Sequence, residues 1–349
     1  STLLFVGKIG DRIGNRRVYT LGFLVFAIGS FFCSLCNTLG ALICSRALQG
    51  IGASMMMATG MGIISSAFPP GERGRALGLT GSIVGLGNIA GPSLGGLFVT
   101  YFSWKAIFLI NVPIGLVGFV LGCRYLKTCE TPPEKVPTDA LGTLALAAAL
   151  VLLILSLSWP NGISWYLMVL SLLVFAIFIR WEKRTSSPLL DFALFRVQGF
   201  VYGNIMAFIF YLIQMPVFFL LPFYLQSLLH LSSTGAGLLM TITPISMAIT
   251  APLAGSLSDR LAAYKITGVS FGVLTLAFLL LASLEAEFAP IKTGLALALF
   301  GVGMGMFSSP NSNAVFSSVP KEKAGYTGGF MATARNLAFS LSTASCASL

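Results

Sequence analysis

The sequence predicts an all-α, polytopic membrane protein, and three observations support this prediction. Of its 349 residues, 56% are hydrophobic and only 9% are charged. The apolar runs are long and unbroken, as at 141–157 and 167–179. Backbone N–H and C=O groups inside lipid need partners within their own segment, so such runs must form helices. A membrane β-barrel would instead show alternating segments of about 10 residues.

The apolar runs predict eleven membrane spans, because a helix needs about 20 residues to cross a bilayer. The predicted spans are 18–38, 41–67, 76–101, 107–126, 141–159, 164–181, 199–226, 234–258, 266–284, 292–318 and 328–349. Residues 1–6 are apolar but too short to span, and we interpret them as the end of a helix. Since the chain begins without Met and its last apolar run ends at Leu349, we expect a fragment that is cut at both ends.

The basic residues predict the orientation of the chain. If residues 7–17 are cytoplasmic and the loops alternate, 17 of the 21 Lys and Arg face the cytoplasm and two face outside. Such an excess is typical of proteins of the cytoplasmic (inner) membrane. The net charge of +10 therefore fits a lipid bilayer, and no motif indicates a nucleic-acid partner. The six cysteines lack the context of a zinc or redox site, so no metal or cofactor is expected.

Two polar stretches, 127–140 and 182–198, divide the chain by composition. They bracket a hairpin of two spans with little polar content. We therefore predict an N-terminal transmembrane bundle at 1–126, a linker with a two-helix insert at 127–198, and a C-terminal transmembrane bundle at 199–349.

The stretch 7–17 places glycine and charged residues at fixed intervals between two apolar runs. Its motif residues are Gly7, Asp11, Arg12, Gly14, Arg16 and Arg17. The glycines permit tight turns between helix and loop. Asp11 can pair with Arg12 or face a helix N-terminus, where the backbone carries partial positive charge. We hypothesise that Asp11, with Arg12, faces the start of the last helix, near 327–328, and latches the cytoplasmic side.

A weaker copy of this pattern, made by Gly255, Asp259 and Arg260, follows a later span. The copy lacks the second glycine and the pair of arginines. Internal duplication is expected of transporters that are built from two related halves. The copy therefore indicates a second gating motif.

Arg46 is a charged residue within an apolar run, and Gln49 and Gly50 follow it. An arginine at the centre of a bilayer costs at least about 2.5 kcal/mol, so this position indicates a functional residue. The alternative is that Arg46 lies near the outer end of its span and reaches the interface.

The run at 76–101 is rich in glycine and contains one proline. Its motif residues are Gly87, Gly91, Pro92, Gly95 and Gly96. Glycines four residues apart clear one helix face for close packing, and Pro92 removes one backbone donor and bends the helix. Ordinary tight packing between helices also explains part of this pattern.

These motifs resemble those of the major facilitator superfamily. The stretch 7–17 resembles its G-x-L-A-D-R-x-G-R-K signature, with departures at Ile9 and Asn15. The Arg46 pattern resembles the fourth-span motif, whose arginine is assigned to proton transfer. The order G-x-x-x-G-P-x-x-G-G from Gly87 resembles the motif that marks antiporters, and 108–115 resembles a signature of the fourteen-span drug–proton antiporters. The resemblance implies a major facilitator fold of two bundles with a two-helix insert, from the end of span 2 through span 13.

Several polar residues inside the apolar runs are candidates for a substrate cavity. They are Asn204, Tyr211, Gln214, Asn311 and Arg335. Hydrogen bonds between helices also explain most of them. All eleven acidic residues map to loops or span ends, whereas a proton antiporter needs a group that binds and releases a proton. The resemblance implies that this acid lies in a first span, which precedes the present sequence.

We therefore predict a secondary transporter, a monomer that exports small amphipathic molecules such as drugs in exchange for protons by alternating access. The alternatives are export of a specific endogenous solute, such as an amino acid, siderophore or lipid-like compound, and a non-transporting membrane sensor on the same scaffold. An enzyme is not expected, because the sequence has no nucleophile–base pair, metal cluster or nucleotide loop.

Overall fold

The structure, a computed structural model, describes residues 2–126, 139–158, 163–185, 188–284 and 290–347, and none of these forms a strand. The described helices are α1 (Thr2–Ile13), α2 (Asn15–Leu35), α3 (Leu39–Ala67), α4 (Pro70–Tyr101), α5 (Ala106–Leu109), α6 (Asn111–Tyr125), α7 (Ala140–Ser158), α8 (Ile163–Glu182), α9 (Gln198–Phe223), α10 (Ser233–Met240), α11 (Ile242–Ser258), α12 (Ala263–Ala282), α13 (Pro290–Ser317) and α14 (Ala324–Ala347). Short 3-10 turns lie at Leu194–Arg196 and Lys321–Lys323, and a π-helical turn at Tyr224–Leu228 continues α9.

The predicted fold class is confirmed, because every predicted span coincides with one helix or two consecutive helices. Within the described residues, eight helical segments are long and apolar enough to cross a membrane, and Leu141–Leu157 is a shorter apolar helix. The largest boundary difference is at α4, which begins at Pro70, six residues before the predicted start. Proline is favoured in the first turn of a helix, so the polar residues that follow it are helical rather than loop.

The stretch 7–17, which the sequence predicts as a loop, is largely helical. α1 continues through Gly7 and Asp11 to Ile13, and α2 begins at Asn15. Gly14 alone interrupts the two helices, with a φ of 102° that favours glycine. The prediction of a turn at Gly14 is therefore confirmed, and the prediction of a turn at Gly7 is wrong.

The helices group by contact into two compact units. The first unit comprises Ser1–Ile63, Leu94–Arg196 and Val319–Leu349. Within it, α1 packs against α14, α2 against α6, and α7 against α8. Its core includes the buried side chains Leu3, Val6, Val18, Ala58 and Ala332.

The second unit comprises Ile64–Ser93 and Val197–Ser318. Its central helix is α13, which packs against α9, α11 and α12. Aromatic rings fill its core, and the rings of Phe210 and Phe307 stack with centroids 4.2 Å apart. The boundaries predicted at 126 and 198 follow chain order rather than contact, and they stay predictions.

Candidate functional site

Asp11 accepts hydrogen bonds from the first turn of α14. Its Oδ1 accepts the backbone N–H of Gly325 and its Oδ2 accepts that of Tyr326, both at 2.6 Å. The side chain of Asn15 donates a longer bond of 3.3 Å to Oδ1. The first N–H groups of a helix have no partner within the helix, and a carboxylate satisfies them while it offsets the helix dipole. We call Asp11 with Gly325 and Tyr326 the Asp11 cap; it lies two residues before the contact predicted at 327–328.

Glycines allow α1 and α14 to approach closely enough for this cap. A Cβ atom on Gly7 would lie 2.5 Å from the carbonyl oxygen of Gly325. A Cβ atom on Gly325 would lie 2.4 Å from Oδ1 of Asp11. Neither distance leaves room for a side chain, so both positions require glycine for steric reasons.

Burial changes the acidity of Asp11. Loss of hydration raises its pKa from 3.8 to about 6, although the N–H groups of Tyr326 and Gly325, the amide of Asn15 and the charge of Lys323 all favour the ionised form. Asp11 therefore changes its protonation state at a pH close to neutrality.

Asp259 makes the equivalent contacts in the second unit. Its Oδ1 accepts the N–H of Gly74 at 2.8 Å and its Oδ2 accepts the N–H of Arg75 at 3.0 Å. Both donors lie in the second turn of α4, as its fifth and sixth residues. Asn313 donates to Oδ1 of Asp259 at 3.3 Å and to the hydroxyl of Ser258 at 3.1 Å. We call Asp259 with Gly74 and Arg75 the Asp259 cap.

A second pair of glycines brings the two helices of the Asp259 cap together. A Cβ atom on Gly255 would lie 2.2 Å from the carbonyl oxygen of Gly74, and one on Gly74 would lie 2.3 Å from the carbonyl oxygen of Gly255. The glycine is four residues before the aspartate in both caps. The weak copy in the sequence therefore has the same local geometry as the full motif.

Arg12, Arg17 and Arg260 form no ion pair with the two aspartates within the described part of the chain. Arg16 donates to the carbonyl oxygen of Cys123 at 2.5 Å, in the last turn of α6, where a cation is favourable. Arg12 is half-buried, while Arg17 and Arg260 are exposed. Of the two predicted partners of Asp11, the structure therefore shows the helix N-terminus and not Arg12.

Arg46 begins a chain of hydrogen bonds between α3 and α2. Its Nη1 donates to Oε1 of Gln49 at 2.5 Å, and Nε2 of Gln49 donates to the hydroxyl of Ser30 at 2.7 Å. Ser30 in turn donates to the carbonyl oxygen of Phe26. Gln49 is buried, whereas Arg46 is exposed, with its guanidinium 5.6 Å from the ring centroid of Phe108. The charge is thus at the accessible end of an otherwise buried network.

Gly50 of the Arg46 motif and Gly87 of the glycine–proline motif are not in close contact with another helix, unlike the glycines of the caps. A Cβ atom on Gly50 or on Gly87 would meet no atom within 4 Å. Gly91, Pro92, Gly95 and Gly96 lie within α4, but their packing is outside the described side chains. The role predicted for this glycine–proline motif therefore stays a prediction.

Four of the five candidate cavity residues lie on α9 and α13 of the second unit. Asn204 donates to the carbonyl oxygen of Phe200 in its own helix, and Asn311 donates to that of Gly203 at 3.1 Å. The Oδ1 of Asn204 and the Oε1 of Gln214 are buried and accept no hydrogen bond from the described residues.

The other two cavity candidates have different surroundings. The ring of Tyr211 packs edge-on against Phe210. Arg335 lies on α14 in the first unit. These two placements leave a cavity role as a prediction.

Four residues in and around the Asp11 cap, namely Asn15, Asp191, Lys323 and Tyr326, were not among the predicted site residues. The hydroxyl of Tyr326 accepts the backbone N–H of Asp191 at 3.1 Å, and Lys323 forms an ion pair with Asp191. Asn15 supports Asp11 from one helical turn away. The i, i+4 spacing of Asp11 and Asn15 was visible in the sequence, but the contact with Asp191 joins residues that are more than a hundred positions apart.

Comparisons with known proteins identify the family to which the chain is similar. A family profile described as Major Facilitator Superfamily matches residues 1–343. The chain is 43% identical over 344 residues to the riboflavin transporter RibZ of Clostridioides difficile (strain 630), which covers 99% of this chain and 75% of that protein. It is 31% identical to the multidrug transporter protein MdtP of Bacillus subtilis (strain 168), over 91% of this chain and 60% of that protein. The crystal structure of the human organic anion transporter MFSD10 (TETRAN) is similar in fold, with a TM-score of 0.73 and 19% identity over 99% of this chain and 75% of that one.

Proposed function

This chain belongs to the major facilitator superfamily, and on that premise we propose that it moves a small organic solute across the cell membrane by alternating access, in exchange for protons. Members of this family are membrane transporters rather than enzymes, and the apolar helices of the chain fit a multi-pass protein. The proton gradient supplies the energy, and no cofactor takes part. We expect a monomer to be sufficient.

The observation that carries this proposal is the pair of aspartate caps. Each cap joins a carboxylate to two N–H groups at the start of a helix, and each depends on glycines at the point of closest approach. A hydrogen bond to a charged group contributes about 1.5–3 kcal/mol. Two caps of this strength can hold one conformation and can still be released during each transport cycle, because no covalent or metal link is involved.

We propose that Arg46 couples protons to transport. Its charge lies at the end of the buried Gln49–Ser30 network and can lower the pKa of an acid that comes near it. In this proposal Arg46→Ala loses proton-driven transport, and Arg46→Lys keeps part of it because it keeps the charge. Arg184→Ala, which removes an exposed arginine elsewhere, is the matched control. Full proton-driven transport by Arg46→Ala would contradict this role.

We propose amphipathic, drug-like molecules as the first substrate class, with export as the direction. The glycine–proline pattern from Gly87, which resembles the antiporter motif, and the two-helix insert support this class. Similarity to a multidrug transporter adds to that support.

A specific solute of the flavin type is the second candidate. The 43% identity to a riboflavin transporter over 99% of the chain favours it. The two candidates differ in substrate range, because a transporter of one solute should not transport unrelated dyes.

A flux assay in liposomes separates the two candidates. The purified full-length protein is reconstituted, a pH gradient is imposed, and the fluxes of cationic dyes, biocides and riboflavin are measured in both directions. Saturable flux of several unrelated dyes supports the first candidate, and flux of riboflavin alone supports the second. Asp11→Asn is expected to lose most of the flux, whereas Glu322→Gln, which changes an exposed acid near the same helix, is the matched control. Absence of any gradient-driven flux would contradict transport of both classes and favour a sensor.

A further inference from the structure

The insert hairpin carries two buried acids at one end. Asp139 directly precedes α7, and Glu182 is the last residue of α8. Because α7 and α8 pack against each other, these positions come together, and Asp139 and Glu182 are only 8% and 1% exposed. Carboxylates are rarely buried to this degree without a bonded cation or a full set of donors.

Asp139 has its donors. Its Oδ1 accepts the backbone N–H of Gly142 at 2.8 Å, as an N-cap residue does, and its Oδ2 accepts the indole N–H of Trp181 at 3.0 Å. Both oxygens are therefore satisfied as those of an ionised carboxylate.

Among the described residues, only one oxygen of Glu182 has a hydrogen-bond partner. Its Oε2 accepts the backbone N–H of Leu190 at 2.9 Å, whereas its Oε1 is buried and has no hydrogen-bond partner within the described part of the chain. A Cβ atom on Gly142 would lie 2.4 Å from Oδ2 of Asp139 and 2.8 Å from this Oε1. The two oxygens are thus within roughly 5 Å of each other, the range in which one charge disfavours another.

Among the described residues, the charged groups that face this pair supply one cation for two carboxylates. Lys8 on α1 feels the charges of Glu182, Asp191 and Asp139, and burial nevertheless lowers the pKa of Lys8. Asp191 has its own cation in Lys323. Tyr326 on α14 is neutral, and burial raises its pKa further. One half-buried lysine therefore faces two buried carboxylates.

We propose that Glu182, with Asp139 beside it, is a proton-binding site in the insert, with the proton on Oε1 of Glu182. The proton comes from water and returns to water, and no bond other than O–H forms or breaks. Loss of the proton places two negative charges in one buried site, so the protonated pair is the form that this geometry favours.

The site is connected to the Asp11 cap through residues 188–191. Glu182 holds Leu190, Lys8 donates to the carbonyl oxygen of Pro188 at 2.6 Å, and Asp191 bonds to Tyr326. Release of the proton should push Glu182 away from Asp139 by charge repulsion, and so displace this segment and, through Tyr326, the start of α14. The proposal goes beyond the proposed function, because proton binding here requires no substrate.

Infrared difference spectroscopy tests the site directly. The full-length protein in lipid nanodiscs is titrated without substrate, and the C=O stretch of a protonated carboxylic acid is followed. We expect a band that persists at neutral pH and disappears at alkaline pH, and we expect Glu182→Gln to lack it. Asp139→Asn keeps the band but should lose it at a pH lower by about one unit or more, because the neighbouring charge is gone. Glu322→Gln should leave the titration unchanged.

Three outcomes would overturn the proposal. The first is a wild-type protein without a protonated carboxyl band at neutral pH. The second is the same band in Glu182→Gln. The third is a titration midpoint that shifts with sodium concentration, which would indicate that Glu182 and Asp139 bind a metal ion. Should Glu182→Gln fail to fold, the shift in Asp139→Asn decides, and an unshifted midpoint there contradicts the proposal.

Discussion

Asp11 in the first unit and Asp259 in the second each accept two backbone N–H groups from the start of a helix, but their surroundings differ. The bonds of Asp11 are 2.6 Å long, and those of Asp259 are 2.8 and 3.0 Å. The helix that Asp11 caps is also held by the Lys323–Asp191 pair. The helix that Asp259 caps begins at Pro70 and carries the buried Arg73 close to the aspartate.

The comparison shows which parts of the motif the cap requires. The motif of Asp259 lacks the second glycine and the arginine pair of the first motif. Its cap nevertheless has two backbone N–H donors, as the Asp11 cap does. A carboxylate and a glycine four residues before it are common to both caps, together with a glycine on the partner helix. The arginines therefore serve other purposes, such as the bond from Arg16 to the end of α6.

Substitution of the cap glycines should have the largest effect on stability and transport, because each substitution disrupts its own cap. Gly7→Ala and Gly255→Ala each place a Cβ atom against a backbone carbonyl oxygen, at 2.5 and 2.2 Å. We expect the free energy of unfolding to fall by about 1–3 kcal/mol and most transport to be lost. Thermal unfolding in detergent and flux in liposomes measure these effects. Gly268→Ala, in open space on α12, should have no such cost. Normal flux in either cap variant would show that its glycine is dispensable.

Loss of an acceptor oxygen should open each cap separately. Asp11→Asn replaces one carboxylate oxygen with an NH2 group, which cannot accept the N–H of Gly325 or Tyr326, and Asp259→Asn does the same for Gly74 and Arg75. Each variant should increase hydrogen exchange of its own two amides by about tenfold or more, since hydrogen bonds to a charged group contribute about 1.5–3 kcal/mol. Mass-spectrometric exchange measures both sites at once, with Glu322→Gln as the control. If one substitution increased hydrogen exchange equally at the amides of both caps, the two caps would open together and not separately.

Acidification should strengthen the Asp11 cap. The pKa of Asp11 is about 6 in the cap, and its ordinary value is 3.8. At pH values between 3.8 and 6, Asp11 in the cap is protonated, whereas a hydrated Asp11 is ionised. Proton binding therefore favours the cap, and the fraction of molecules in which the cap is formed should rise as the pH falls through 6. Exchange of Gly325 and Tyr326, corrected for the intrinsic pH dependence, measures this fraction. The Glu182→Gln background removes the second proposed titration. A fraction of capped molecules that falls on acidification would contradict the shifted pKa.

The supporting amides should have the smallest effect. Asn15→Ala removes one 3.3 Å bond to Asp11, whereas Asn313→Ala removes bonds to both Asp259 and Ser258. We expect losses of about 0.5–1.5 kcal/mol per bond, and therefore a larger drop in Tm for Asn313→Ala. Gln198→Ala, which removes an exposed amide at the start of α9, is the control. A larger drop for Asn15→Ala would reverse this order.

Much of the fold was predictable because lipid leaves few choices to an apolar run. Every predicted span coincides with a helix, and the differences lie at polar ends. Residues 7–13 and 70–75 contain charged side chains that a composition-based boundary assigns to loops. They are helical because Pro70 begins α4 and because only Gly14 interrupts the run from α1 to α2.

The candidate site was predictable only in part. The aspartates and their glycines stand out as a repeated spacing, and the partner helix of Asp11 was inferred from a lone acid near a helix start. The burial of Glu182 was not visible, because its position at a span end suggested a hydrated carboxylate. Its surroundings come from Asp139 and Leu190, and pairings of this kind depend on how helices pack rather than on spacing along one helix.

The sequence by itself determined that this chain is a multi-pass helical membrane protein with a repeated glycine–aspartate motif, because hydrophobic length and local spacing are properties of single segments. Only the tertiary structure decided which helix start each aspartate caps, where the motif arginines lie, and which buried acid among the described residues keeps an oxygen without a hydrogen bond. Those outcomes depend on distances of a few ångströms between segments that are remote in the chain, and packing alone sets such distances.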